Sequence, residues 1–247
     1  MTKASSERHS NFESQRALLA ALSDDLALPL LQIKSTLELV GSSNLSFNKN
    51  AQHRLSMGLS AANGLQLIEA YRLALRVQDE AELPLEPVAV GAVLQEVANQ
   101  LSPYAKQYAT DIEVNVASRL TPVLANRQSL IAAMQCLGAS LIRAQAVGSR
   151  KKNHRLMLGA HRAADNVITT GVFSSVQGLS DRALRNARAL TGKARQPLTA
   201  LPAGAASGVL IADILCGAMW QPLRAAAHRN MYGLATAVPV SKQLQFV

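Results

Sequence analysis

Twice between residues 11 and 77 the chain places an apolar residue at every third or fourth position, and few folds tolerate that pattern. Leu19, Leu22, Leu26, Leu30, Ile33, Leu37 and Val40 form the first series, and Leu55, Leu59, Ala62, Leu65, Ile68 and Leu75 the second. At 3.6 residues per turn each series falls on one side of a helix. Pro29 removes one backbone hydrogen bond, yet the stripe resumes in phase after it, so a kink is expected there and not a stop. The stretch Gly41-Ser-Ser-Asn-Leu-Ser-Phe-Asn-Lys-Asn50 is a turn by composition. Two long helices joined by so short a loop lie antiparallel. A lone hairpin cannot enclose its own stripe. Pairing with a second copy into a four-helix bundle is therefore expected, with Leu19, Leu22, Leu26, Leu30, Ile33, Leu37, Leu59 and Ile68 at the dimer interface.

On either side of the hairpin the pattern changes. Residues 1–11 are polar and read as a tail, residues 12–78 as the hairpin, and residues 79–87 as an acidic linker with two prolines. Residues 88–247 read as a second domain. Val93, Leu94, Val97 and Leu101 mark a helix over 90–107, and the alternation of 111–116 marks a half-buried strand. Beyond them come a short strand at 123–124, a helix over 127–146, a strand pair at 155–161 and 166–174, and helices over 180–191 and 207–219. Two last strands flank a turn at 229–233. Helices on one face of a mixed sheet make an α+β sandwich.

Composition excludes some functions. An apolar fraction of 49% argues against disorder, and a 4% aromatic content with abundant Leu and Ala favours helical packing. The net charge of +9 raises nucleic acid as a partner. The basic residues are dispersed, however, and are not interleaved with aromatic platforms, so nucleic-acid binding is not expected. The Arg150–Arg155 run reads as a polar turn, and Arg182, Arg185 and Arg188 as a solvated helix face. Uncharged apolar runs stay short of a bilayer, the nearest being Gly204–Trp220, which carries Asp213. A cytoplasmic protein without a membrane contact is expected, unless the chain is part of a longer receptor. Cys136 and Cys216 read as buried reduced thiols. His154 belongs to the Arg150–Arg155 polar turn, His161 and His228 read as partly exposed strand residues, and none of the three has metal-ligand spacing, so no metal is expected. Neither a Gly-x-Ser-x-Gly elbow nor a Walker-type loop occurs.

Four stretches in this order resemble the histidine kinase transmitter core, a dimerisation and phosphotransfer hairpin followed by an ATPase-like domain of the Bergerat fold. Leu26-Ala-Leu-Pro-Leu-Leu-Gln-Ile33 is similar to the segment after the phosphoacceptor, and Leu85–Val97 to the entry into the ATPase domain. Asp111–Val116 followed by Val123-Leu-Ala-Asn-Arg-Gln-Ser-Leu130 resembles the strands leading into the N-box helix. Gly233–Val240 resembles the closing strand. The resemblance implies ATP, Mg²⁺ and a histidine nucleophile, because a neutral imidazole must attack the γ-phosphate.

The residues carrying that chemistry differ here. Alignment on Pro29 places Asp24 at the phosphoacceptor position and Asp25 at the neighbouring acidic one, and no histidine lies between His9 and His53. His53, near the hairpin turn, reads as a solvated helix residue. Ser140 stands at the Mg²⁺-binding Asn position, with Cys136 before it, and a serine hydroxyl is a poor substitute for an amide carbonyl. Ser174-Ser-Val-Gln-Gly178 replaces the Asp-x-Gly-x-Gly adenine loop, keeping Gly178 and losing the carboxylate at Ser174. Gly204-Ala-Ala-Ser-Gly208 keeps glycine only at its ends, Gly208 being the second. Arg182, Arg185 and Arg188 fall where the family has its ATP lid.

The expectation is a non-catalytic, bacterial, histidine-kinase-like signalling protein, a homodimer that modulates a two-component or phosphorelay pathway by contacting a response regulator or partner kinase. No cofactor is expected, with ATP and Mg²⁺ entering only if the degenerate site still binds. The alternatives are a divergent but active sensor histidine kinase, a phosphorelay phosphotransferase and a basic DNA-associated regulator.

Overall fold

The computed structural model describes residues 26–27, 29–40, 47–79, 83–148, 153–163, 166–190, 198–202, 205–219 and 222–241. Leu19, Leu22, Asp24, Asp25 and the 1–11 tail lie outside them. Helix α1 covers residues 26–27 and 29–40, and α2 is Phe47–Asp79, beginning before Ala51, where the sequence pattern starts it. Gly64 of α2 lies against Leu26 and Pro29, while Ser60 Oγ donates to Gln32 Oε1 at 3.1 Å. Contacts that climb one helix while descending the other define an antiparallel hairpin.

The expected single stripe divides in two. Pro29 is buried and Leu26 and Ile33 are half-buried, whereas Leu30 is 61% and Leu37 55% exposed. On α2, Leu55, Leu65 and Ile68 are exposed, and Ala51, Arg54, Leu55, Gly58 and Leu59 line an open groove of about 550 Å³. One face of each helix is thus satisfied within the chain, and a second apolar face is left to solvent.

The far end of α2 packs into the second domain. Leu67, Ala70, Tyr71 and Ala74 are buried in the same core as helices α3 (Val90–Gln107), α4 (Arg127–Gly148) and α6 (Ala206–Ala218). Where the segment read as linker (79–87) meets the second domain, β1 (Glu86–Val88) pairs antiparallel with β3 (Val123–Ala125). Local pattern missed it because a three-residue strand has too few positions to show alternation.

Five strands form the main sheet in the order β2-β4-β5-β7-β6, from β2 (Thr110–Val116), β4 (His154–Arg162), β5 (Val167–Ser174), β6 (Arg224–His228) and β7 (Met231–Pro239). Only β2 and β4 run parallel, and α4 provides the crossover such a pair requires. Leu156, Leu158, Ile168, Val172, Leu234 and Val238 point into the helical layer. α4 is long and apolar enough to cross a bilayer by length and composition, yet it forms the centre of this layer, with Leu130, Met134, Leu137 and Leu141 fully enclosed.

The opposite face of the sheet is not bare, as a simple two-layer sandwich would have it. Met157, Phe173 and Ala235 make a second small core there, flanked by Ala226 and Met231. Glycine makes this possible. A Cβ at Gly171 would meet Leu234 O at 2.4 Å, and one at Gly233 would meet Val172 O at 2.0 Å. Backbones can approach this closely at β5–β7 because neither position carries a Cβ. The β6–β7 hairpin then rolls over the outer face until His228 reaches Asn115 on β2, at the other end of the strand order.

Candidate functional site

Helix α4 begins at a side-chain cap. Asn126 Oδ1 accepts from Ser129 N at 2.9 Å, and its Nδ2 donates to Pro84 O at 3.0 Å, tying the helix start to the segment before β1. From that start the helix carries small residues where it meets α6. A Cβ added at Gly208 would lie 2.3 Å from Ser140 Oγ and 2.8 Å from Cys136 O. Glycine is therefore required by a direct approach of α6 to α4. Of the four pocket positions named from the sequence, Ser140 and Gly208 are brought into contact, and neither a metal ion nor a phosphate fits between them. Ser140 is 1% exposed, and its hydroxyl has no hydrogen-bond partner.

Ser174 and Gly178 occupy the loop leaving β5. Ser174 is fully buried, and its Oγ accepts from Val176 N at 3.2 Å, so the side chain closes its own turn. Gly178 has φ of 85°, a left-handed conformation that favours glycine, and a Cβ there would sit 3.0 Å from Ala200 Cβ. Both positions perform local structural roles.

The segment at the lid position carries the strongest polar contact near this region. In α5 (Asp181–Leu190), Leu184 and Ala187 are buried and Arg182 and Arg185 are exposed. Arg188 departs from the solvated face expected of it. Its Nε and Nη2 donate to Asp213 Oδ2 and Oδ1 at 2.7 and 2.8 Å, and Nη2 also donates to Leu223 O at 2.8 Å. Asp213 Oδ1 accepts Leu223 N at 2.8 Å as well. The Asp213 carboxylate holds the Arg188 guanidinium above its ordinary pKa, against the opposing effect of burial. Asp181 Oδ1 accepts Ala225 N at 2.8 Å, so α5 and α6 together occupy backbone groups at the outer edge of β6. The signal was Asp213 itself, since an aspartate in an otherwise apolar helix needs a partner.

Histidines and cysteines occupy varied environments. His154 is buried at the start of β4, with its backbone N–H donated to Ala109 O at 2.9 Å, which corrects its placement in a polar turn. His161 and His228 are half-buried and stacked on each other, and His53 is half-buried on α2. Leu26, where the described part of α1 begins, lies against Gly64, about three helical turns along α2 from His53. Arg155, read as part of a polar turn, sits in β4 with Nη2 2.5 Å from Glu113 Oε2. Both cysteines are buried thiols outside any disulfide, and burial pushes the Cys216 thiol up to about 12. Among the described residues no three His, Cys, Asp or Glu side chains cluster as a metal site would need.

No family model matches the sequence, and no curated protein does. Solved structures do match. The full-length ShkA structure in complex with AMPPNP aligns with 96% of this chain at 15% identity and a TM-score of 0.53, and this chain spans 46% of it. The Acinetobacter baumannii histidine kinase AdeS aligns over 88% of this chain and 98% of its own, at 13% identity and a TM-score of 0.54. A structure described as a bacterial phosphotransferase aligns over 92% of this chain and 96% of its own, at 13% identity and a TM-score of 0.51. The chain has the fold of a histidine kinase transmitter core, a helical N-terminal part followed by an ATPase-like α+β domain.

Proposed function

We propose that this chain is a non-catalytic, histidine-kinase-like signalling protein that dimerises through its hairpin and modulates a two-component or phosphorelay pathway by protein contacts. The observation that carries the reading is the direct approach of α6 to α4 at Gly208 and Ser140, where the resemblance implies a Mg²⁺ ligand and a phosphate-binding box. Three features support it further. Asp24 replaces the nucleophile, Ser174 has no carboxylate to offer adenine, and the Arg188–Asp213 pair anchors the lid-position helix to α6. The second apolar face of the hairpin, with Leu30, Leu37, Leu55 and Leu65, supports a homodimer and a helical docking surface for a response regulator or partner kinase. A cytoplasmic location goes with this role.

Incubation with radiolabelled ATP tests the reading. Unlabelled protein is the expected result, and acid-labile label on the chain contradicts it. The end-to-end alignment with the bacterial phosphotransferase favours a second reading, passage of a phosphoryl group without ATP. That role requires a histidine on the hairpin, and His53 is the one the sequence supplies between residues 10 and 87. Loss of phosphate passage from a phosphorylated donor in His53→Ala would support this second reading. Transfer unaffected by His53→Ala would remove it.

A further inference from the structure

The β6–β7 turn carries a cluster that plays no part in the pocket region. His228 pairs with Met231, so Arg229 and Asn230 form a two-residue hairpin turn, with φ of 45° and 61°. Left-handed pairs of this kind suit asparagine or glycine, and Arg229 is held there against its preference. What holds it is visible. Arg229 Nη1 lies 3.9 Å from Glu113 Oε1 on β2, and both guanidinium Nη atoms face Asn115.

The neighbours of Asn115 fix its amide orientation. With Oδ1 toward the arginine, it accepts from Nη1 and Nη2 at 2.9 and 3.2 Å, and Nδ2 donates to His228 Nε2 at 3.1 Å. Turned the other way, the amide nitrogen would face the guanidinium, donor against donor. In this orientation His228 Nε2 is the acceptor, a role that the neutral ring fills. Its other neighbours are His161, stacked at 5.4 Å between centroids and 15° between planes, and Phe173 at 5.3 Å. The His161 Nδ1 atom is buried without a partner.

We propose that His228 and Asn115, with His161 stacked beside them, form a proton-operated latch on the β6–β7 hairpin, closed while the His228 imidazole is neutral and released when it protonates. A proton from solvent adds to His228 Nε2 and sets an N–H against the Asn115 amide N–H. Asn115 can accept only by turning its oxygen away from Arg229, which loses both bonds and leaves Glu113, at 3.9 Å, as the remaining support of its left-handed backbone. The charged groups around the pair reinforce this. Glu113 on β2 is shared between Arg155 of β4 and Arg229 of the turn, so one carboxylate already faces two guanidinium groups. The stacked ring of His161 on β4 and the Phe173 ring on β5 offer no compensating negative charge. Release uncovers Met157, Phe173 and Ala235.

The pH effect has a definite sign. Burial first, then His161 and Arg229, lower the His228 pKa below its ordinary value, with Glu113 opposing. The native state thus binds fewer protons than the unfolded one, and stability rises with pH. The latch contribution is complete above the ordinary value of 6.5 and is lost as pH falls below it.

Hydrogen exchange of the full chain at about pH 7.5 and about pH 5.5, corrected for intrinsic rates, tests the latch. Protection of amides 226–233 should fall several-fold, with roughly tenfold the ceiling for one histidine, at the lower pH, while α3 and α4 amides hold theirs. His228→Gln, whose amide oxygen can accept from Asn115 at any pH, should give a flat profile. A flat wild-type profile, or an equal fall in His228→Gln, overturns the proposal. Should that variant not fold, His161→Gln provides the second reading: the His228 proton resonances should titrate at higher pH than in wild type, and an unchanged midpoint overturns the coupling.

Discussion

One methyl group at Gly208 probes the contact on which the functional reading rests. Gly208→Ala sets a Cβ against Cys136 O, a backbone atom, as well as against Ser140 Oγ, so a helix must shift. The expected loss is about 1–3 kcal/mol in urea unfolding, the usual range for overpacking. Ser140→Ala removes a buried hydroxyl that has no partner and should be neutral or stabilising by up to about 1 kcal/mol. The double variant should recover part of the Gly208→Ala loss, because the clash with Oγ is gone while the clash with Cys136 O remains. Cys216 makes a separate test. With its thiol pushed up to about 12 by burial, and with the neighbouring Asp213 adding to the shift, it should resist iodoacetamide at pH 8 in the native chain. Mass spectrometry should find it alkylated after unfolding in urea, and rapid native labelling would contradict the buried placement.

Elements with strong local periodicity were legible from the sequence, and those made by distant contacts were not. Helices α3, α4 and α6 and strands β2, β4 and β5 follow from alternation or 3.6-residue spacing. The pairing of β1 with β3, and the roll of the β6–β7 hairpin across the sheet, depend on residues far apart in sequence. Gly171 and Gly233 allow that roll, but a glycine in a strand announces only a close approach, not its partner. The pocket positions were partly legible: Ser140 and Gly208 were named from a resemblance, while their mutual contact needed the tertiary structure. Arg188 was misread because helix-surface periodicity does not reveal a partner on another helix. Arg188→Ala should leave the Asp213 carboxylate, 9% exposed, without its counter-ion. The expected loss is about 2–3 kcal/mol in thermal or urea unfolding, below the figure for a fully buried pair because the Arg188 side chain is 35% exposed. Arg182→Ala and Arg185→Ala, on the exposed face, should each stay within about 0.5 kcal/mol of wild type.

At the scale of the molecule, the hairpin and the ATPase-like domain share one core through Leu67, Ala70, Tyr71 and Ala74, so the end of α2 that carries these residues is continuous with α4 and α6. The upper hairpin presents a second apolar face, which a four-helix bundle would cover. Light scattering after size exclusion should give a dimer, and Leu55→Asp combined with Leu65→Asp should give a folded monomer, since both side chains are about two-thirds exposed in the single chain. The central claim is a histidine kinase fold whose nucleotide site no longer serves ATP, and calorimetric titration of the full chain with ATP and Mg²⁺ tests it most directly. Dilution heats without saturation up to about 1 mM nucleotide are the predicted result. A saturable isotherm with a dissociation constant in the micromolar range would contradict it.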